Sequence, residues 1–149
     1  MILIADSGST KTDWCLTDEH DTVARCATQG INPFQQDKES ISSILAGELV
    51  AHLPCTSDAV TQIYFYGAGC RDEMRPMMRQ ALAGVFTQAR TIEVDSDLMG
   101  AAHALFADSD GIACIMGTGS NSCLYINGQM IDNIPPLGYI LGDEGSGAV

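Results

Sequence analysis

The segment at residues 6–13, Asp-Ser-Gly-Ser-Thr-Lys-Thr-Asp, constrains the fold of this chain more than any other stretch. Residues 2–5 before it and residues 14–17 after it have the composition of buried strands. A polar turn between two such strands predicts a β-hairpin, in which small residues let backbone N–H groups approach an anion. Asp6, at the end of the first strand, suits a hard cation such as Mg²⁺. We interpret the segment as a phosphate-binding hairpin with a metal carboxylate; an ordinary polar turn is the alternative.

Two better-known phosphate motifs do not fit the sequence. Residues 8–12 lack the Gly-Lys-Ser/Thr ending of the P-loop, and a strand rather than a helix is predicted to follow them. Residues 117–122 begin like a dinucleotide-binding fingerprint, but Ser122 stands where the third glycine belongs. The sequence therefore favours neither a P-loop nor a Rossmann domain.

The charge of the chain argues against a nucleic-acid partner. Its 149 residues carry 19 acidic and 7 basic side chains, which gives a formal net charge of -12. The length is sufficient to bury a core and suggests one domain or a little more. The N-terminal apolar run is too short for a signal peptide, and no apolar stretch approaches membrane-spanning length. We therefore expect a cytoplasmic protein with no membrane partner.

The cysteines support the same compartment. Six are present, and no Cys-x-x-Cys pair occurs. Cys15 and Cys114 fall within predicted strands, so we expect most of the six to be small, reduced core residues. The three histidines have no ligand spacing with cysteine or with one another, so a zinc site is not predicted.

The pattern of apolar residues up to residue 94 predicts an alternation of strands and helices. Residues 1–28 read as an antiparallel meander of three strands. Asp37 is placed to cap a helix, and Pro76 fits the first turn of a second one, with Met78, Leu82, Val85 and Phe86 on its apolar face. The predicted elements are strands at 2–5, 12–17, 22–27, 61–66 and 91–94, and a helix at 38–53.

Asp97 opens a further predicted helix directly after the last of these strands. The helix would place Leu98, Ala101, Ala102, Leu105 and Phe106 on or near one face. Asp97 suits the N-cap of this helix, which is a sufficient structural reason for its presence. It also lies at the carboxyl end of a strand, where open α/β sheets bind ligands, and there it could serve as a general base.

A second polar turn follows in the C-terminal part of the chain. Residues 112–116, 122–126 and 130–131 read as strands, and Asn127-Gly128 is typical of a tight hairpin turn. Residues 117–121 form a polar turn between the first two of these strands. Two such strand–turn–strand units facing each other would make a clamp for a polyphosphate.

Three motifs in this order resemble those of N-acetylglucosamine kinases. They are Asp-x-Gly-x-Thr-Lys-Thr at residues 6–12, Gly-Thr-Gly-Ser-Asn at 117–121 and Leu-Gly-Asp-Glu-Gly-Ser at 141–146. The wider group contains the ATPases that activate benzoyl-CoA reductase and 2-hydroxyacyl-CoA dehydratases, and it belongs to the actin, sugar kinase and Hsp70 superfamily. The resemblance implies an α/β, ribonuclease H-like domain of the actin-type ATPases, with a mixed sheet of three antiparallel N-terminal strands and flanking helices.

The resemblance also implies roles for individual residues. Asp6 would coordinate Mg²⁺, while Asp97 would accept the proton of the attacking sugar hydroxyl, expected to be the 6-hydroxyl. The two phosphate turns would use Gly8, Thr10 and Lys11, and Thr118 and Gly119. The sugar would be bound by Asn32, Asp97, Ser120, Asn121, Leu137, Gly138 and Asp143. Such kinases often carry tryptophan near the sugar, where this chain has Phe34 and Leu137, so the identity of the sugar stays open.

Members of this superfamily have two similar halves with ATP in the cleft between them. By this resemblance, residues 1–108 would be an N-terminal half and residues 111–149 the first strands of an incomplete second half. Such a chain would be an inactive fragment, and its open apolar face and strand edge would favour a homodimer, formed or swapped through residues 111–135.

Three functions therefore follow from the sequence. The first is an ATP- and Mg²⁺-dependent sugar kinase, a transferase most consistent with N-acetylglucosamine as substrate. The second is an activating ATPase that shares an iron–sulfur cluster through Cys114, although the apolar strand around Cys114 argues against a bridging thiolate. The third is a sugar-sensing pseudokinase, against which the presence of Asp6 and Asp97 argues, because binding alone needs no base.

Overall fold

The computed structural model describes residues 1–134, 137–138, 140–143 and 145–147, and its chain forms two compact units, Met1–Asp97 and Leu98–Val149. Pro135, at the end of the segment predicted to mediate a swap, and Glu144, in the third motif, lie outside the described residues. The division into halves at residues 108 and 111 stays a prediction about superfamily organisation.

The first unit is built on a mixed five-stranded sheet with the order β3-β2-β1-β4-β5. The three N-terminal strands pair antiparallel, whereas β1, β4 and β5 pair parallel, which confirms the predicted mixed sheet. Buried and more exposed residues alternate along β1 and β2, so one face of the sheet is buried. The strands are β1 (Ile2–Ser7), β2 (Lys11–Thr17), β3 (Thr22–Gln29), β4 (Gln62–Gly67) and β5 (Thr91–Ser96).

Helices on the buried face complete this unit. The Asp37 carboxylate caps α1 (Lys38–Ile44) by accepting a hydrogen bond of 2.8 Å from the Ser40 N–H, as predicted. The helix continues through a π-helical turn (Leu45–Leu49) into α2 (Val50–His52); the sequence did not predict the π turn. Pro76 lies in the first turn of α3 (Arg75–Val85), and no helix in the described part of the chain is long and apolar enough to cross a bilayer.

The core of the first unit lies between this sheet and these helices. Trp14 and Phe65 are fully buried at its centre, with ring centroids 5.9 Å apart. The indole N–H of Trp14 donates to the Thr28 hydroxyl at 3.0 Å, so burial leaves no unpaired donor on this ring.

The second unit packs α4 (Asp97–Phe106) and a three-stranded antiparallel sheet into a smaller core. Its strands are β6 (Gly111–Met116), β7 (Ser120–Ile126) and β8 (Gln129–Ile134). Asn127 and Gly128 both have positive φ, at 50° and 77°, which confirms the predicted tight turn between β7 and β8. The buried residues are Leu98, Ala102, Ala113, Cys123 and Tyr125.

Exposure in this unit departs from the sequence pattern at two residues, and the prediction that Cys114 is buried is wrong. Leu105 is 64% exposed, although it lies seven residues after buried Leu98 and therefore on the same face of α4. Cys114 is exposed rather than buried, because strand alternation turns it away from buried Ala113. It shares the outer face of β6 with Ile112 and Met116, which are 68% and 72% exposed.

The cysteines are free but differ in burial. Cys70 and Cys123 are buried, Cys15, Cys26 and Cys55 are half-buried, and Cys114 is exposed. Burial raises the pKa of the Cys70 thiol to about 12, and the Asp97 carboxylate adds to the shift. Cys70 is therefore protonated at neutral pH.

We expect iodoacetamide at pH 8 to alkylate Cys70 at least about tenfold more slowly than Cys55, because the reactive species is an accessible thiolate. Timed alkylation followed by peptide mass spectrometry measures both rates in one sample. Urea should abolish the difference, and similar rates in the folded chain would contradict the burial of Cys70.

Candidate active site

The turn between β1 and β2 is closed by backbone hydrogen bonds. The Gly8 N–H donates to the Lys11 carbonyl at 2.9 Å, and the Gly30 N–H donates to the Thr10 carbonyl at 3.1 Å. Gly8, Ser9, Thr10 and Lys11 are all exposed. The predicted phosphate turn is therefore an accessible polar loop held from below by the segment after β3.

The charges beside this turn are partly paired. Lys11 Nζ lies 2.8 Å from the Asp13 carboxylate, and both side chains are more than half exposed, so solvent screens the pair. Asp6 is exposed on β1 directly opposite Asp13, which places both carboxylates on one face of the sheet. Adjacent carboxylates repel each other and favour a cation between them.

The carboxylates fit Mg²⁺ better than a metal that needs a full protein cage. The described residues contain no group of three or more His, Cys, Asp or Glu side chains that could hold an ion. Mg²⁺ is commonly bound through one or two carboxylates together with substrate phosphates and water. Asp6 fits such a role because it is exposed at the end of β1, next to the turn.

Asn32 lies in the loop that follows β3 and is only 7% exposed. Its amide oxygen accepts a hydrogen bond of 3.0 Å from the Phe34 N–H, and its amide nitrogen lies 3.5 Å from the Ser9 hydroxyl. Gly69 packs against this amide so closely that a Cβ there would overlap Asn32 Oδ1. The Asn32 side chain is thus fixed beside the first turn rather than free in solution.

Asp97 is half-buried at the junction of β5 and α4. The helix begins at Asp97 itself, one residue earlier than the start at Leu98 that follows from Asp97 as the predicted N-cap. Close by, Asp95 accepts hydrogen bonds of 2.7 Å from the Arg75 guanidinium and from the Ser96 N–H. The sequence did not single out the Arg75–Asp95 pair, since neither residue belongs to a motif.

In the second unit, the turn at residues 117–121 contacts the loop that carries the third motif. The Gly117 N–H donates to the Gly119 carbonyl at 2.9 Å, and the Gly147 N–H donates to the Gly117 carbonyl at 2.7 Å. The Asp143 carbonyl accepts from the Ser146 N–H at 3.0 Å. Two motifs that are about twenty residues apart in sequence are therefore adjacent in the fold.

These two segments border a cavity of about 290 Å³. Asp143 is 9% exposed there, and its Oδ1 atom has no hydrogen-bond partner among the described residues. A buried carboxylate oxygen without a donor is costly, so this atom favours a ligand that supplies a hydroxyl or amide N–H. The lining residues are Cys114, Ile115, Met116, Ser120, Asn121, Ser122, Ile134, Leu137, Gly142 and Asp143.

Most of the sugar residues predicted for this unit meet at the cavity. Ser120, Asn121, Leu137 and Asp143 line it, while Gly138 does not and instead closes a turn with a φ of 80°. Thr118 and Gly119 lie in the adjoining turn, where a Cβ on Gly119 would approach Asp143 Oδ2 to 3.1 Å.

Sequence reasoning missed Asn133, which orients one of these residues. Its amide nitrogen donates to Asn121 Oδ1 at 3.0 Å and to the Ser122 carbonyl at 3.3 Å. Asn133 is brought there by the pairing of β8 with β7, a register that residue spacing did not reveal. Asn133 shares β8 with the polar residues Gln129 and Asp132, so its residue type alone gave no signal.

No protein-family model matches this chain, and no curated protein does. Among solved structures, the "putative N-acetylglucosamine kinase" of Porphyromonas gingivalis is 52% identical with a TM-score of 0.95, over 99% of this chain and 52% of that one. The "putative N-acetylglucosamine kinase" of Chromobacterium violaceum is 21% identical with a TM-score of 0.75, again over 99% and 52%. MreB 5 of Spiroplasma citri, bound to AMPPNP, is 9% identical with a TM-score of 0.65, over 89% and 51%.

These structures confirm the predicted fold. The second and third are too distant in sequence to show more than the fold, which is the actin-type ATPase fold. The chain spans about half the length of each of these three proteins.

We expect Gly69→Ala to lower the free energy of unfolding by at least about 1 kcal/mol, because φ is +77° there and the new Cβ meets the Asn32 amide. Gly84→Ala is the matched control: Gly84 lies in α3, and a Cβ there meets nothing within 4 Å. The control should be neutral or stabilising. Urea unfolding followed by fluorescence of Trp14, the single tryptophan, measures both, and equal effects would contradict the Gly69–Asn32 contact.

Proposed function

We propose that this chain, which has the fold of the sugar kinase and actin-like ATPase superfamily, belongs to an enzyme that transfers the γ-phosphoryl group of ATP to a sugar hydroxyl. The observation that carries the proposal is the 52% identity, over 99% of the chain, to the Porphyromonas gingivalis protein. The site supports it independently, because the cavity of the second unit has a buried carboxylate oxygen that a sugar hydroxyl would satisfy.

The proposed substrate is N-acetylglucosamine, phosphorylated at its 6-hydroxyl. The similarity to the "putative N-acetylglucosamine kinase" of Porphyromonas gingivalis supports this sugar. Asn32 supplies an amide group in the first unit, and in the second unit Asn121 supplies an amide and Asp143 a carboxylate. Groups of these kinds pair with hydroxyl and acetamido groups. Ser120, Leu137 and Gly138 complete the proposed sugar contacts.

In the proposed reaction the sugar oxygen attacks the γ-phosphorus, a new P–O bond forms, the bond to the bridging oxygen breaks and ADP leaves. Asp97 accepts the hydroxyl proton. In the proposed roles, the turn with Gly8, Thr10 and Lys11 in the first unit and the turn with Thr118 and Gly119 in the second unit each bind phosphate oxygens. Asp6 would hold Mg²⁺, which neutralises charge on the phosphates.

We further propose that the 149 residues are inactive by themselves. The chain spans 52% of the Porphyromonas gingivalis protein, which supports this proposal. The free cysteines favour the cytoplasm, where thiols are kept reduced.

For the 149-residue chain we propose a homodimer formed or swapped through residues 111–135. The outer face of the β6–β8 sheet carries Ile112, Met116 and Ile134, which are 68%, 72% and 72% exposed. β6 and β8 are the outer strands of this sheet, so each also has an unpaired edge. A second copy would cover both features.

One observation favours a second candidate, the cluster-sharing ATPase. The sequence argued against it because Cys114 was expected to be buried, but Cys114 is exposed and borders the cavity. A brown, iron-containing protein after anaerobic purification would select this candidate over the kinase.

Coupled ADP release by the complete gene product, against a panel of hexoses and amino sugars, tests the proposed activity. We expect turnover with N-acetylglucosamine and none with the 149-residue chain. Calorimetric sugar binding without ADP formation would instead indicate a pseudokinase, and turnover by the short chain would contradict its proposed inactivity.

In the complete gene product, Asp97→Asn should lower kcat on the order of a hundredfold or more, because the asparagine cannot accept the proton. Glu93→Gln is the matched control, since Glu93 lies on β5, the strand that directly precedes Asp97, with 61% of its side chain exposed. A near-wild-type kcat for Asp97→Asn would remove it from the role of base.

Ile112→Lys should shift the 149-residue chain from dimer to monomer, because a charge on the outer face of β6 would be desolvated in the interface. Val23→Lys, at a residue 41% exposed on β3, is the control and should leave the dimer intact. Size-exclusion chromatography with light scattering measures both, and a monomeric wild-type chain would contradict the proposed dimer.

A further inference from the structure

We propose that Ser7 and Thr12 are positioning residues that couple sugar binding at Asn32 to phosphate binding on the turn at residues 8–11. The inference rests on the proposed kinase function and adds the physical link between its two substrates. Neither residue can touch a ligand, because both side chains are fully buried beneath the turn.

The link is a small buried network of hydrogen bonds. The Ser7 hydroxyl donates to the Ile31 carbonyl at 2.8 Å and lies 2.6 Å from the Thr12 hydroxyl. Because Ser7 has one hydroxyl proton, Thr12 is the donor in the contact between them. The Ile31 N–H in turn points at both oxygens, at 3.1 Å from Thr12 and 3.2 Å from Ser7.

These bonds join two ends of the proposed site. Ser7 and Thr12 are paired residues at the base of the hairpin, one on β1 and one on β2. Ile31 precedes Asn32, the proposed sugar residue, and is itself fully buried. Because Ile31 is hydrogen-bonded to the hairpin base, a displacement of that base also shifts the backbone of the next residue, Asn32.

Gly30 adds a close backbone contact between the segment after β3 and the phosphate turn. A Cβ on Gly30 would overlap the carbonyl of Ser9 and approach the Gly8 carbonyl oxygen to 2.6 Å. The segment after β3 thus lies directly under the phosphate turn, with the Gly30 N–H bonded to Thr10 at 3.1 Å. Any side chain at residue 30 must push the turn away from its support.

Gln36 fixes the same segment from the other side. Its amide oxygen accepts from the Asn32 N–H at 2.8 Å, and its amide nitrogen donates to the Gly30 carbonyl at 3.2 Å. The backbone of residues 30–32 is consequently held at three points and cannot rotate independently of the hairpin. Asn32 and the phosphate turn behave as one rigid piece.

For the reaction, this link should make the affinity for each substrate depend on the residues that hold the other substrate. Phosphoryl transfer requires the acceptor hydroxyl and the γ-phosphoryl group to be held within near-attack distance, where a misplacement of about 1 Å is costly. A change under the phosphate turn should therefore weaken sugar binding, and a change in the sugar loop should weaken nucleotide binding.

The first arm of the test compares Thr12→Val with Thr12→Ser in the complete gene product. Valine keeps the shape but removes the hydroxyl, whereas serine keeps the oxygen. We expect Thr12→Val to raise the Kd for N-acetylglucosamine at least about fivefold and Thr12→Ser to stay within about twofold of wild type. Calorimetry below the melting temperature of each variant measures binding without turnover.

The second arm measures nucleotide binding. Gly30→Ala should raise the Kd for ADP with Mg²⁺ at least about fivefold, because a Cβ at residue 30 meets the backbone of Gly8 and Ser9 in the phosphate turn. Gly84→Ala, in α3, is the control and should leave the Kd for ADP unchanged.

Should Thr12→Val fail to fold, Gln36→Ala replaces Thr12→Val in the first arm, because Gln36 is half-buried and its removal leaves the core intact.

The outcomes separate this inference from the function on which it rests. If the wild-type protein binds both ligands but Thr12→Val, or Gln36→Ala in its place, binds sugar within twofold of wild type, the link is wrong and the kinase stands. If the wild-type protein binds neither ligand, the proposed function fails, and the inference with it. Loss of sugar affinity in Thr12→Val with rescue by Thr12→Ser supports the link, because a purely structural defect would lower thermal stability without this selectivity.

Discussion

The pairing of β1 on both of its edges is the constraint on which the first unit depends. β1 pairs antiparallel with β2 on one side and parallel with β4 on the other. The hairpin turn and the carboxyl ends of the parallel strands therefore meet at one end of the sheet. Asp6, Asn32 and Asp97 come from distant parts of the sequence, and each follows or ends a strand of this sheet.

Glycine and buried hydroxyl groups let backbone segments approach each other closely at this site. Gly30 lies under the first turn and Gly69 lies against Asn32, and a Cβ at either position would overlap its neighbour. In the second unit Gly119 approaches Asp143 in the same manner. Small residues at such contacts leave room for polar groups to converge, which a phosphoryl-transfer site needs more than it needs a nucleophile.

The two units differ in how completely they bury apolar surface. The first sheet has helices over one face and a large core, whereas the outer face of the second sheet exposes Ile112, Met116 and Ile134. This exposed apolar face is the one that a second copy would cover in the proposed dimer.

Local pattern was sufficient for the elements of the fold. The strands, the Asp37 cap, Pro76 in the first turn of α3 and the Asn127-Gly128 turn follow from spacing and turn chemistry, which act over a few residues.

Tertiary packing decided what those elements contact. Exposure of Cys114, the support of Asn121 by Asn133 and the buried Ser7–Thr12–Ile31 network depend on strand register and on which face is covered. The sequence by itself determined the strands, turns and motifs, because each is encoded by neighbouring residues. Only the tertiary structure decided which polar groups are buried together, because that depends on contacts between residues far apart in the chain.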